Sequence, residues 1–255
     1  MNRIVSLIVV VTCLFFSHAI VASDFGKEKR WAEQIVDSLI DGEPIYLKAD
    51  SYEFLGIHTE TEEGDGSLAA IVIHGSGVHP NWPTVVYPLR TGLPAHGWQT
   101  LSIQMPVLDN EAKYSEYLPL FPDAIPRIKA SIDFLKENGA KKIVILAHSL
   151  GSRMTAYALA TQPQPIAGFS AIGMTGRSGK NNDNSIGHIG KIEVPLLDLY
   201  GSEDLPEVVN TAKARKSAGL NNPKYKQIKI EGADHFFEGE EADLLDTVLQ
   251  WLAEI

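Results

Sequence analysis

A chain of 255 residues, 44% hydrophobic and 21% charged, carries enough apolar material for one well-buried core and little room for a second domain. Its formal net charge of −10 sets an acidic surface against nucleic acid and anionic lipid headgroups, so neither is expected as a partner. The single cysteine, Cys13, excludes an intrachain disulfide and a thiolate metal site.

At the N-terminus, Arg3 precedes an apolar run from Ile4 to Phe16, followed by the small residues Ala19, Ala22 and Ser23. This is the plan of a secretory signal peptide over residues 1–22. The run is shorter than the ~20 residues that span a bilayer, so cleavage is expected rather than an uncleaved anchor. That predicts a periplasmic or secreted protein without stable membrane insertion. Val11 and Thr12 make Cys13 a poor lipoprotein-processing site, and cleavage would remove Arg3 and Cys13 but no acid. The mature chain is then more acidic and has no thiol nucleophile.

Residues 23–255 contain no repeat and no Pro/Gly/Ser-rich linker, and read as one domain. Trp31, Ile35 and Leu39 share a helical face; PIYLKA and YEFLGIHTE read as strands, closed by a turn at Glu63-Gly64-Asp65-Gly66. The pattern then changes to short apolar runs, LAAIVIHG, QTLSIQMP, KKIVILAHS, IAGFSAIG and VPLLDLYG, most of them separated by helical patterns such as Pro126 to Asn138. Runs that do not alternate suit strands buried on both faces. With helices between them they imply right-handed crossovers in a mostly parallel α/β sheet covered on both sides. The early strands add an antiparallel edge, and EEADLLDTVLQWLAEI reads as a closing helix.

Ala147-His148-Ser149-Leu150-Gly151 lies between the buried strand KKIVIL and the helical pattern RMTAYALA, the context of a nucleophile elbow. Such a turn strains the serine backbone and crowds the positions two before and two after it, which must be small. Ala147 and Gly151 are small, with alanine where glycine is usual. A serine hydroxyl needs a base that titrates near neutrality, and the base needs a carboxylate to fix its tautomer. In this fold the chain order is nucleophile, acid, base. Only His188 and His235 follow Ser149; His235 lies in GADHFF after the Ile228/Ile230 strand, whereas His188 precedes a strand. Asp204 follows VPLLDLY through Gly201-Ser202-Glu203, at the carboxyl edge where sites of open α/β sheets lie. Glu203 is the runner-up for the acid. A tetrahedral intermediate needs backbone donors, assigned to Leu150 and to Ser76 in the loop Ile73-His74-Gly75-Ser76-Gly77. Gly75, with His74 and His148, is expected to line the substrate site, and His74 also reads as loop scaffolding.

Through IVIHGSG, ILAHSLG, LYGSED and GADHFF in this order, residues 68 to 237 resemble the α/β-hydrolase superfamily of serine-hydrolase type. HPNWPTVVYPLRTGLPAHGWQTLSIQMP further resembles a bacterial family of exported hydrolase-fold proteins without an assigned function. The resemblance implies the fold and no particular substrate.

The interval Met174 to Glu193, where hydrolases of this fold often insert a large cap, is short and polar, which predicts a minimal lid and an open site. Leu108 to Phe121, with Tyr114, Tyr117, Leu118, Leu120 and Phe121, could wall an acyl pocket or simply pack. The expectation is an exported serine hydrolase, carboxylesterase-like, acting on a small-molecule or acylated substrate. Thioesterase, peptidase and acyltransferase chemistry use the same residues. A non-catalytic periplasmic binding or assembly factor is the competing reading. No metal and no cofactor are implied: His74 and His79 lack a third ligand, Asn181-Asn182-Asp183-Asn184 lacks the closing glutamate of a calcium loop, and neither Gly-rich stretch matches a phosphate-binding fingerprint.

Overall fold

The computed structural model describes residues 23–255, so the export segment expected over residues 1–22, Cys13 included, lies outside the described residues. Among the described residues no helix is long and apolar enough to cross a membrane.

Helix α1 (Phe25–Ser38) is capped by Asp24, whose carboxylate accepts from the Lys27 N–H, and lays Ala32 and Ile35 against Leu55 and Ile57. Strands β1 (Glu43–Ala49) and β2 (Tyr52–Thr59) form the expected antiparallel hairpin at the sheet edge. There follow β3 (Leu68–Ile73), α2 (Val86–Gly92), β4 (Trp98–Ile103), α3 (Ala124–Glu137), β5 (Lys142–His148), α4 (Leu150–Thr161), β6 (Gly168–Ile172), α5 (Ser185–Ile189), β7 (Leu196–Gly201), α6 (Pro206–Val209), α7 (Ala212–Gly219), β8 (Tyr225–Ile230) and α8 (Glu241–Glu254). All eight strands join one sheet in the order β1-β2-β4-β3-β5-β6-β7-β8, antiparallel as far as the β2–β4 pair and parallel beyond it.

Continuous apolar runs work here because the sheet is covered twice. Ala69, Ile71 and Ile73 of β3 and Ile143, Ile145 and Ala147 of β5 face a core shared with α3 and α4, which adds Ile128, Ile132, Leu135 and Met154. The alternate residues Ala70, Val72, Val144 and Leu146 face a second core closed by Val86 and Leu89 of α2 and by Leu244, Val248, Trp251 and Leu252 of α8. Two-sided burial of this kind is what a parallel sheet requires.

The site is positioned by topology. β3 and β5 are neighbours, but the crossover from β3 runs to β4 on one side and that from β5 to β6 on the other. Such a switch opens a crevice at the carboxyl ends of the strands. Ile73 pairs with Ala147, which brings the loop after β3 level with the turn after β5.

The segment before α3 is not an α-helix but a 3-10 stretch, Tyr114–Asp123, containing Pro119 and Pro122. Neither proline can donate to a helical hydrogen bond. Tyr117, Leu120 and Phe121 of this stretch are buried in the α3/α4 core, so packing accounts for most of its aromatic character.

Candidate active site

Ser149 sits between β5 and α4 with φ 52° and ψ −120°, a conformation rarely taken by a side-chain-bearing residue. Its amide donates to the Ile172 carbonyl at 2.8 Å, which ties the strained turn to β6. A Cβ at Gly151 would stand 2.2 Å from the His74 carbonyl oxygen, so only glycine lets α4 approach the β3 loop this closely. Ala147 is fully buried, and its extra methyl is absorbed in the α3/α4 core.

His235 reaches Ser149 from the loop after β8. Its Nε2 lies 2.9 Å from Ser149 Oγ, and its Nδ1 lies 2.6 Å from Asp204 Oδ1. Because an ionised carboxylate only accepts, Nδ1 carries the proton and donates to Asp204; Nε2 of the neutral ring then accepts from the serine hydroxyl. Asp204 is 6% exposed and also accepts from the Leu205 N–H at 2.7 Å, while Glu203, the runner-up, is exposed. The acid and base loops are stitched together: Glu203 N–H donates to the Ala233 carbonyl at 2.9 Å, Ser202 N–H to the Ile230 carbonyl at 2.8 Å, and Gly232 N–H to Ser202 Oγ at 2.8 Å.

Of the other residues singled out by sequence, Gly75 lies against the serine: a Cβ there would stand 3.0 Å from Ser149 Cβ and 3.5 Å from its Oγ. Ser76 is the exposed residue just beyond, followed by Gly77 at φ 69°. Leu150 opens α4, so its N–H has no acceptor one turn back along the helix.

The structure corrects the expectation that His148 lines the substrate site, and of the two readings of His74 it favours loop scaffolding. His74 is fully buried; Nδ1 donates to the Gly75 carbonyl at 2.7 Å and Nε2 accepts from the Met105 N–H at 2.9 Å. With both nitrogens engaged it is scaffold for the Gly75 loop. His148 is 3% exposed, and its Nε2 donates to the backbone carbonyl of His235 at 2.9 Å, its ring centroid 4.8 Å from that of His235. It steadies the base from behind. Gly173, unremarked in the sequence, has φ 60°, and a Cβ there would stand 3.1 to 3.2 Å from the His235 ring; its signal, a glycine ending β6, resembles that of any strand terminus.

Burial lowers His79 and holds three further histidines well below the ordinary 6.5: His74 at about 3, and His148 and His188 at about 4. Desolvation is the largest cause in each, reinforced by His235 beside His148 and by Lys191 and Arg153 beside His188. The folded state thus refuses protons that the unfolded chain accepts. The stabilisation is complete above pH 6.5 and drains as pH falls toward 4, at up to roughly 4 kcal/mol per pH unit if all three participate. Urea titrations from pH 7.5 to 4.5 should show this decline; a flat profile would contradict the neutral, buried assignments.

Asn182 to Asn184 spend their side chains internally: Asn182 Nδ2 donates to the Leu118 carbonyl, Asp183 accepts from Arg153, and Asn184 caps α5. Among the described residues no group of three or more His, Cys, Asp and Glu is placed to hold a metal ion.

The family described as "Protein of unknown function (DUF3530)" matches the chain over residues 25–119 and 123–254. No curated protein matches it. Among solved structures, Est1E from Butyrivibrio proteoclasticus is similar with a TM-score of 0.63 at 16% identity, over 82% of this chain and 99% of that one. An esterase of Pyrococcus furiosus superposes with a TM-score of 0.68 at 16% identity, over 86% of this chain and 93% of that one. A dienelactone hydrolase from Anabaena variabilis gives 0.64 at 19% identity, over 83% and 96%. The fold is that of the α/β hydrolases.

Proposed function

This chain belongs to the DUF3530 family, whose description names no reaction, and from that premise we propose, on its own residues, that it is a serine hydrolase cleaving an ester or related acyl bond. The observation that carries this reading is the linear contact from Ser149 Oγ through His235 to Asp204, at 2.9 and 2.6 Å, built on a strained strand-to-helix turn. A scaffold that only binds has no need to hold a serine at φ 52° with an imidazole on its hydroxyl.

His235 takes the Ser149 proton on Nε2 as Oγ attacks the acyl carbon, and Asp204 stabilises the imidazolium that forms. The N–H groups of Leu150 and Ser76 receive the oxyanion. Collapse of the tetrahedral species transfers the proton from His235 to the leaving group and leaves an acyl-enzyme. A water, deprotonated by the same imidazole, then releases the acid. No cofactor enters these steps. Two of the similar structures are an esterase and a dienelactone hydrolase, which favours carboxylic-ester substrates over amides.

The decisive experiment is labelling of the purified protein with a fluorophosphonate, followed by a p-nitrophenyl ester chain-length series. Labelling should disappear in Ser149→Ala and in His235→Ala; a folded wild-type protein that takes no label would instead support a binding scaffold. We also propose export, on the residue pattern of positions 1–22. Expressed with its own N-terminus, the protein should be recovered in the periplasmic or extracellular fraction, shortened by that segment; full-length protein in the cytoplasm would refute it.

A further inference from the structure

Outside the Ser149 contacts, one cluster of buried polar groups has no role in the steps above. Arg153 lies one turn along α4 from Ser149 and is 1% exposed. Its Nη2 donates to Asp183 Oδ1 at 2.8 Å, while Nε and Nη1 are buried with no hydrogen-bond partner among the described residues. The hydroxyl of Tyr114 is buried and equally unpartnered, and its ring stacks on the Arg153 guanidinium at 4.5 Å. Both side chains line one cavity of about 270 Å³, together with Thr175, Arg177, Leu205 and Glu207. That is about nine water volumes, room for a small functional group and a short chain.

Three elements that carry the proposed chemistry also build this cavity. Arg153 lies on α4, which starts directly after Ser149, Leu205 directly follows Asp204 and donates to it, and Thr175 lies two residues past the Gly173 that abuts His235. The cavity is thus walled by residues that stand one to four positions along the chain from Ser149, Asp204 and Gly173, and it opens to solvent at Leu205 and Glu207, both exposed.

The unpartnered atoms can all donate, and buried donors without acceptors are rare in folded proteins because desolvation goes uncompensated. The complement is an oxygen-rich acceptor. Charge points the same way: Arg153 and Arg177 share one carboxylate, Asp183, at 2.8 and 3.4 Å, while Glu207 stays on the outer rim. Burial lowers Arg153 to about 10, which leaves it cationic at neutral pH. A buried guanidinium in so acidic a chain runs against the overall field, which repels anions at long range.

We propose that this cavity is a subsite for an anionic oxygen group, a carboxylate or a phosphate, so that the acyl substrate of Ser149 carries a negative charge a short chain away from its scissile carbonyl. This rests on the serine-hydrolase reading. Arg153 and Tyr114 are then specificity residues, with Arg177 drawing the anion in at the mouth.

The alternative is that Arg153 merely pins the Tyr114–Asp123 stretch to Asp183, and two measurements separate the two. Calorimetric titration of the purified protein with succinate, inorganic phosphate and neutral succinamide should show binding of at least one anion and none of the amide. That binding should weaken by about tenfold or more in Arg153→Met and fall with added NaCl. Whichever anion binds tighter identifies the group. Hydrolysis of p-nitrophenyl hemisuccinate against p-nitrophenyl butyrate should favour the anionic ester, and the ratio of kcat/KM should drop by about tenfold in Arg153→Met. Tyr114→Phe, which keeps the guanidinium, should lower the same ratio and serves if Arg153→Met does not fold. Binding of neither anion, or a ratio unchanged in folded variants, overturns the subsite. Anion binding by a protein that takes no fluorophosphonate label would instead uphold the subsite and overturn the hydrolase reading.

Discussion

Ser149→Ala is expected to fold like the parent and to lose roughly 10⁴- to 10⁶-fold in kcat on any ester the protein turns over. The hydroxyl is held only by His235, and the backbone bond from Ser149 N–H to Ile172 survives the substitution, so little stability is at stake. What disappears is the atom that forms the acyl-enzyme. Asp204→Asn should cost roughly 10⁴-fold by a different route. Asp204 Oδ1 accepts from both the Leu205 N–H and His235 Nδ1, so an asparagine turned to place its NH2 at that position gives up the Leu205 bond, donates to Nδ1 and favours the wrong tautomer, with Nε2 protonated against the serine. Pre-steady-state traces with p-nitrophenyl esters, read beside circular dichroism, check both. Residual turnover above roughly a hundredth of wild type in a folded Ser149→Ala would remove Ser149 from the mechanism.

The elements of this site differ in how visible they were before folding. The Ser149 turn was legible because its constraints are local: a small residue on either side, a buried strand before it and a helix after it. Asp204 and His235 were legible by order, each following an apolar run whose carboxyl end a parallel sheet brings to one edge. Contacts between chain-distant residues left no such trace. Nothing in GADHFF shows that the carbonyl of His235 accepts a hydrogen bond from His148, which is why the sequence reading puts His148 at the substrate instead. For His74 the choice between substrate contact and loop scaffold turns on the Met105 amide that occupies its Nε2, 31 residues away in sequence. Arg153 did leave a signal, a cation four residues past the serine within RMTAYALA, but whether it faces solvent or the core depends on Tyr114 and Asp183.

The longest-range dependence runs from α1 to the Gly75 loop, and breaking it should be the most damaging single change away from the reacting groups. Arg127 is fully buried on α3 and grips Glu28 of α1 with both terminal nitrogens, at 3.0 and 2.9 Å. Its Nη1 also donates to the Gln104 carbonyl at 2.8 Å; the Gln104 side chain lies 3.0 Å from His74 Nε2, and His74 holds Gly75. Ser23, at the edge of the expected cleavage site, donates to Glu28 Oε1, the oxygen that also accepts from Arg127 Nη2. Arg127→Met should destabilise the protein by about 3 to 5 kcal/mol, because Glu28 keeps its charge, 6% exposed, with no cation to face. In a chain of this size that lowers Tm by roughly 10 °C or more. Glu28→Leu combined with Arg127→Met removes both charges and should recover much of the loss, since a buried ion pair contributes little net stability beyond the cost of stranding one partner. The coupling is read from a double-mutant cycle in urea. Losses that simply add would mean the pair does not act as a unit, and α1 would then be held by its apolar face alone.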